Sequence, residues 1–366
     1  MPIGIFDSGY GGLTILKEIK KALPEYDYIY LGDNARAPYG NRSFEVVYQY
    51  TLQAVKALFN KGCHLVILAC NTASAKALRS IQQFDLPLID PKRRVLGIIR
   101  PTVEAIPGMT THNHVGLLAT PGTVASRSYS IELEKISPQI SITEHACPMW
   151  VPLVENNEAT SPGADYFVKK ELDYLLKKDP EVDTVVLGCT HYPLLLDKIK
   201  ENLSPEISIL SQGKIVADSL KDYLYRHPEI DLLCSKNGRT TFYTTENPEK
   251  FDALASLFIN QSVKSIRMSL PDQTNDNKEI KNNLQQFREM LPKEAITALD
   301  KYISSNPEDE EAYTLRGMKY WALGNRSLAI KDYLKAISIN PESKAKMALQ
   351  NANEILDFYN KDLLNP

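Results

Sequence analysis

The chain has 366 residues, 43% of them hydrophobic and 24% charged, and a formal net charge of −3. That is ordinary globular composition, at a length that fits two to three domains. It lacks the basic excess of a nucleic-acid binder. Its apolar runs are too short for a bilayer, and Met1-Pro2-Ile3-Gly4-Ile5-Phe6 has no signal-peptide layout, so a cytoplasmic protein without membrane contact is expected.

From the N-terminus, β-rich runs at 3–6, 28–31, 65–69, 115–118 and 185–187 alternate with helical stretches such as 12–23 and 44–60. Alternation of this kind predicts an α/β fold with a mostly parallel sheet under helices. The runs are apolar on both faces, as buried parallel strands are. A small polar cluster follows each run: Asp7-Ser8, Gly32-Asp33, Cys70-Asn71-Thr72, Ala119-Thr120 and Cys189-Thr190-His191. The carboxyl ends of parallel strands face the ligand crevice, so these clusters are expected to converge on one site.

The chain also echoes itself. Val66-Ile67-Leu68-Ala69-Cys70-Asn71-Thr72 matches Val185-Val186-Leu187-Gly188-Cys189-Thr190-His191, and Gly4-Ile5-Phe6-Asp7-Ser8 resembles Gly116-Leu117-Leu118-Ala119-Thr120. Two related lobes facing each other would each bring one cysteine to a shared cleft. After about residue 270 a polar stretch at 271–279 reads as a linker. Beyond it the sequence is helical with a 34-residue period: Asn306-Pro307 recurs as Asn340-Pro341, and Ala295-Ile296 as Ala329-Ile330. Tyr313, Gly317, Tyr320, Ala329, Tyr333 and Pro341 stand at tetratricopeptide spacing. Arg316 departs from that pattern, where an apolar residue is usual. Residues 351–364 read as a closing helix.

The five cysteines are odd in number and widely spaced. Neither a disulfide framework nor a zinc site is expected. Cys70 and Cys189 stand out by their matching contexts. A thiol titrates near 8.5, close enough to neutrality to act as thiolate on one face of a carbon and thiol on the other. Asp7 is the natural support for one cysteine and His191 for the other. Cys63, Cys147 and Cys234 read as buried small residues. His112 and His114 read as exposed. Asp7-Ser8-Gly9-Tyr10-Gly11-Gly12 precedes a helix but has neither G-x-G-x-x-G nor a Walker lysine, so a phosphate loop is not indicated, whereas a carboxylate site remains open.

Together these motifs resemble the glutamate racemase family. The resemblance rests on Phe6-Asp7-Ser8-Gly9-Tyr10-Gly11-Gly12-Leu13, Gly32-Asp33 with Pro38-Tyr39-Gly40, Ala69-Cys70-Asn71-Thr72-Ala73-Ser74, Gly122-Thr123-Val124, Cys147-Pro148 with Val151-Pro152-Leu153-Val154-Glu155, and Leu187-Gly188-Cys189-Thr190-His191-Tyr192-Pro193-Leu194. It covers residues 1 to about 270. It implies two pseudo-symmetric doubly wound lobes with the active site between them, followed here by an all-α tetratricopeptide-like segment. Lobe 1 would be 1–100 completed by 211–270, lobe 2 would be 101–210, and the repeats 280–366. The implied activity interconverts L- and D-glutamate with no cofactor and no metal, for peptidoglycan synthesis. The resemblance assigns Cys70 to the D-enantiomer with Asp7 assisting, and Cys189 to the L-enantiomer with Glu155 and His191 assisting. It places substrate contacts at Asp7, Ser8, Tyr39, Gly40, Asn71, Thr72, Thr123, Thr190 and His191. A homo-oligomer is expected, as a dimer, and the repeats, which are not part of the common family pattern, are expected to pack on the racemase body or a second subunit, or to hold a protein partner. Two departures stand out: a longer, basic connection at 89–94, expected as a surface loop, and the repeats themselves. The competing readings are an aspartate racemase, which usually carries an acidic residue where this chain has His191, and an interaction protein with a retired α/β body.

Overall fold

A computed structural model describes residues 1–270, 284, 287–288 and 290–359. The expected linker at 271–279, and the end of the closing helix beyond 359, lie outside the described residues. Two compact units emerge. The first comprises Met1–Ser43, Tyr50–Arg79 and Asp90–Leu270, and the second Phe44–Gln49, Ser80–Ile89 and the described part of Pro271–Pro366.

The first unit holds two parallel sheets. In chain order the strands are β1 Ile3–Asp7, β2 Tyr28–Gly32, β3 Leu65–Leu68, β4 Arg94–Gly97, β5 His114–Ala119, β6 Ser141–Ala146, β7 Thr184–Gly188, β8 Ser208–Leu210, β9 Thr240–Thr244 and β10 Ser265–Arg267. One sheet runs β10-β9-β2-β1-β3-β4 and the other β6-β5-β7-β8. The order β2-β1-β3-β4 in one thus reappears as β6-β5-β7-β8 in the other. The sequence echo is this repeat: β1 lies on β3 with Phe6 opposite Leu68, and β5 lies on β7 with Leu118 opposite Leu187.

The central strands β1, β2, β3 and β7 are buried throughout. Such strands need apolar residues on both faces, which is why they are legible as apolar runs. The helix Gly12–Ala22 covers one face with Leu13, Ile15, Leu16 and Ile19 and ends in Lys20 and Lys21, whose charges suit a helix C-terminus. The basic connection at 89–94 is shorter than expected, because Leu86–Ile89 is helical and β4 begins at Arg94. His114 is likewise not a free surface residue. It opens β5 and pairs with Asp179 and Glu181.

In the second unit the helices Pro292–Ser305, Glu310–Ala322, Arg326–Ile339 and Ala345–Tyr359 follow in series. The third has the bounds of the first displaced by one 34-residue period. Asp309 caps the second helix, accepting from the backbone N–H of Glu311 and Ala312. Leu284, Ala295, Leu299, Ile303, Ala312 and Leu315 form one apolar cluster, and Ala329, Tyr333, Ala336, Ala345, Ala348 and Ala352 another, with Phe84 against the latter. Gly317 lets helices approach, since a Cβ there would stand 2.6 Å from the Tyr333 ring.

The structure explains Arg316. Its guanidinium bonds both carboxylate oxygens of buried Asp332 at 2.8 Å and reaches Asp300 at 2.7 Å. The polar residue replaces apolar packing with a bidentate bond. Arg316→Met strands Asp332 and should lower unfolding free energy of this unit by about 3 kcal/mol. Adding Asp332→Leu should recover most of that loss in urea titration. An equal loss in the single and double variants would show that the pair is not the cause.

Candidate active site

Cys70 follows β3 and caps the helix Asn71–Lys76, its Sγ 3.5 Å from the Ala73 N–H. Cys189 occupies the equivalent place after β7. Both thiols are buried, and both line one crevice, whose wall is drawn from the strand ends of the two sheets.

The first sheet brings Asp7 and Ser8 from the end of β1, and the loop after β2 brings Tyr39 and Gly40. Ser8 Oγ lies 3.4 Å from Cys70 Sγ. Asp7 Oδ1 accepts from the Gly9 N–H at 2.8 Å, whereas Oδ2 is buried without a hydrogen-bond partner among the described residues. Burial pushes the Asp7 carboxyl up to about 6, against the opposing pull of His191. Burial also pushes the Cys70 thiol up to about 12, with the charge of Asp7 adding to the rise. Cys70 therefore rests as a thiol.

The Cys189 side differs. His191 Nδ1 is 3.8 Å from Cys189 Sγ, and Nε2 is 2.9 Å from Glu155 Oε1. Burial opposes a charge on His191, but the bonds to Cys189 and Glu155 outweigh it and hold the imidazole well above its ordinary range. The buried cation gives a sulfur anion its counter-charge. One face of the crevice thus holds a proton donor, and the other the means to stabilise a proton acceptor.

Direct bonds seam the two lobes around this space. Thr72 Oγ1 lies 3.0 Å from Thr120 Oγ1, and the Gly122 N–H donates to the Gly40 carbonyl at 2.8 Å. Thr14 donates to the Thr190 carbonyl at 3.0 Å. Tyr39 is fixed from behind: its hydroxyl donates to fully buried Asp33, which also accepts from Arg36 Nε at 2.7 Å and Thr245 Oγ1 at 2.8 Å. Gly11 is required by close approach, since a Cβ would stand 2.3 Å from Thr190 Oγ1 and 2.5 Å from His191 Nδ1.

The sequence profile of Asp/Glu/Hydantoin racemase matches residues 4–220. A glutamate racemase of Ruegeria sp. is 41% identical over 273 residues, which is 72% of this chain and 98% of that protein. The chain belongs to the Asp/Glu/hydantoin racemase family. Among solved structures, a glutamate racemase isoform from Bacillus anthracis is 32% identical, with a TM-score of 0.67 over 74% of this chain and 98% of its own. A Francisella tularensis glutamate racemase, solved in complex with D-glutamate, gives 31% identity and a TM-score of 0.65, over 74% of this chain and 97% of that one. A tetratricopeptide repeat profile matches residues 310–343. The resemblance read from the motifs, the amino-acid racemase class and the two-lobed fold with helical repeats therefore hold.

In this racemase-family chain the crevice wall contains Cys70, Cys189, Asp7, Glu155, His191, Ser8, Tyr39, Gly40, Asn71, Thr72 and Thr190. Thr123 is fully buried and stands behind that wall, 3.1 Å from Thr120 Oγ1. Thr120 itself lines the space, as does Cys147. Thr120 is visible in the sequence as a strand-end hydroxyl. Cys147 sits among turn residues and has no matching partner in the echo, so nothing in the sequence raises it above a buried cysteine. No helix among the described residues is long and apolar enough to cross a membrane.

The folded Asp7 carboxyl titrates near 6 and the unfolded one near 3.8, so the folded state holds an extra proton between them. Stability falls as pH rises through that window and stays lower above it. Asp7→Asn should thus stabilise the protein at pH 7.5 by about 3 kcal/mol in urea titration, from ~2 pKa units at 1.36 kcal/mol each. A destabilised Asp7→Asn protein would refute the buried, raised carboxyl. Gly11→Ala should cut kcat/KM at least about 10²-fold by displacing His191, while Gly108→Ala, which meets nothing within 4 Å, leaves kcat/KM unchanged. Equal activities would rule out the close approach.

Proposed function

We propose that this chain is a glutamate racemase that works by two-thiol proton transfer without cofactor or metal, supplying D-glutamate for peptidoglycan. The observation that carries this reading is the placing of Cys70 and Cys189 at equivalent strand ends of two repeated lobes, both on the wall of one crevice. Two bases on opposite faces of a carbon exchange its configuration without turning the substrate over.

The protonation pattern suits the L-enantiomer first. Cys189, beside the His191 cation, takes the α-proton, and the Cys70 thiol delivers one to the opposite face. The roles then reverse for D-glutamate, with Asp7 assisting Cys70. Ser8, Asn71, Thr72 and Thr190, with Tyr39 and Gly40, supply the polar contacts that hold the substrate, and Thr123, expected among them, braces Thr120 from behind the wall instead. The reading needs no cofactor, since the two thiols themselves remove and return the proton. The glutamate reading is supported by the relatives, which are named for that activity. A cytoplasmic dimer, with the repeats free to hold a protein partner, completes the reading.

The test is L-glutamate in deuterium oxide with no added cofactor. D-glutamate should form with deuterium at the α-carbon, while the remaining L-glutamate stays largely protiated at early times. Cys70→Ser and Cys189→Ser should each lower racemisation about 10³-fold or more. Deuterium entering recovered L-glutamate as fast as product forms would indicate a single base. Faster turnover of aspartate would overturn the substrate.

A further inference from the structure

We infer that Gln212 is a positioning residue for proton transfer at the Cys70 face, acting through Asn71. The inference rests on the two-thiol reading above. Gln212 opens the helix Gln212–Arg226, where the chain leaves the second sheet, and is 2% exposed. Its side chain meets Asn71, the residue next to Cys70 and a part of the crevice wall.

The contact joins two side-chain amides. Asn71 Nδ2 donates to Gln212 Oε1 at 2.6 Å, and Gln212 Nε2 lies 3.2 Å from Asn71 Oδ1. Gln212 Nε2 also donates to Thr102 Oγ1 and Tyr129 Oη, each at 2.9 Å. Tyr129 in turn donates to Asn71 Oδ1 at 2.8 Å, and Thr102 to the Ile98 carbonyl at 2.7 Å. All four side chains are essentially buried.

Donor arithmetic fixes the orientation of Asn71. Its carbonyl oxygen accepts from Tyr129, since the two Nε2 hydrogens of Gln212 go to Thr102 and Tyr129, so it faces the network. One Nδ2 hydrogen goes to Gln212, and the second is not used by the network. Thr102 spends its proton on the Ile98 carbonyl and can only accept from Gln212, so Gln212 presents Oε1 to Asn71, and an Asn71 amide turned over would set its own oxygen against it. Asn71 is thereby held as a hydrogen-bond donor toward the crevice, the polarity that an anionic amino-acid substrate needs beside Cys70. The network also gathers Thr102, Tyr129 and Gln212 from three separate helices, so it sets the distance between the lobes at that face.

Racemisation has an equilibrium constant of one, so any loss in kcat/KM is equal in both directions. The face that slows is instead read from isotope effects. Gln212→Met and Tyr129→Phe should each lower kcat/KM, by about tenfold and about threefold respectively. In both variants the α-deuterium effect on kcat/KM should rise from D-glutamate, where Cys70 takes the proton. It should fall from L-glutamate, where Cys189 does. Wild-type turnover of glutamate, measured first, tests the underlying reading separately. Variants within twofold of wild type, or activity losses with both isotope effects unchanged, would overturn the role of Gln212. Tyr129→Phe, which removes one oxygen, keeps the test open if Gln212→Met folds poorly.

Discussion

Burial sets the terms for everything in this crevice. A dry site lines up reacting groups and strengthens every charge interaction, but it also penalises the thiolate and carboxylate that proton transfer requires. Cys70 and Asp7 show the penalty directly: one is driven up to about 12 and the other to about 6. The Cys189 side shows the remedy. His191 spans Cys189 and Glu155, one ring nitrogen to each, and holds a positive charge where burial alone would remove it. The lobes are therefore symmetric in fold and asymmetric in charge.

That asymmetry arises from small differences between repeated parts. The strand order β2-β1-β3-β4 recurs as β6-β5-β7-β8, and each third strand of the pair ends in a cysteine. The residues after the two cysteines differ: Asn71-Thr72 in one lobe, Thr190-His191 in the other. In the matching register Asp7 answers Ala119 and Ser8 answers Thr120, so a carboxyl on one side has no counterpart on the other. A duplicated scaffold supplies the geometry, and single residues at strand ends assign the two faces different chemistry.

Most of this is legible because buried parallel strands must be apolar and their polar ends then stand out. The five runs read from the sequence correspond to β1, β2, β3, β5 and β7. The strands that go unread, β4, β6, β8, β9 and β10, lie toward the edges of their sheets, are partly exposed, and mix polar with apolar residues. Their alternation is too short or too mixed to separate from loop. The crevice residues adjacent to cysteines are found by proximity in sequence. Gln212, Tyr129 and Thr102 are not, because nothing local marks a glutamine at a helix start or a tyrosine within a helix. Their role exists only once three distant helices meet at Asn71. Arg316 is the reverse case: visible as a break in the repeat pattern, and explained only by Asp332 and Asp300 on either side of it.

Beside the crevice the lobes are joined by the Gly122 N–H on the Gly40 carbonyl, one backbone group from each lobe. Neither partner has a side chain, and a Cβ on Gly122 would stand 2.7 Å from the Gly40 oxygen. Peptide groups do not titrate, and a neutral amide–carbonyl bond is little affected by salt. A site whose chemistry runs on protons is thus closed, at this seam, by a contact that protons and salt do not reach.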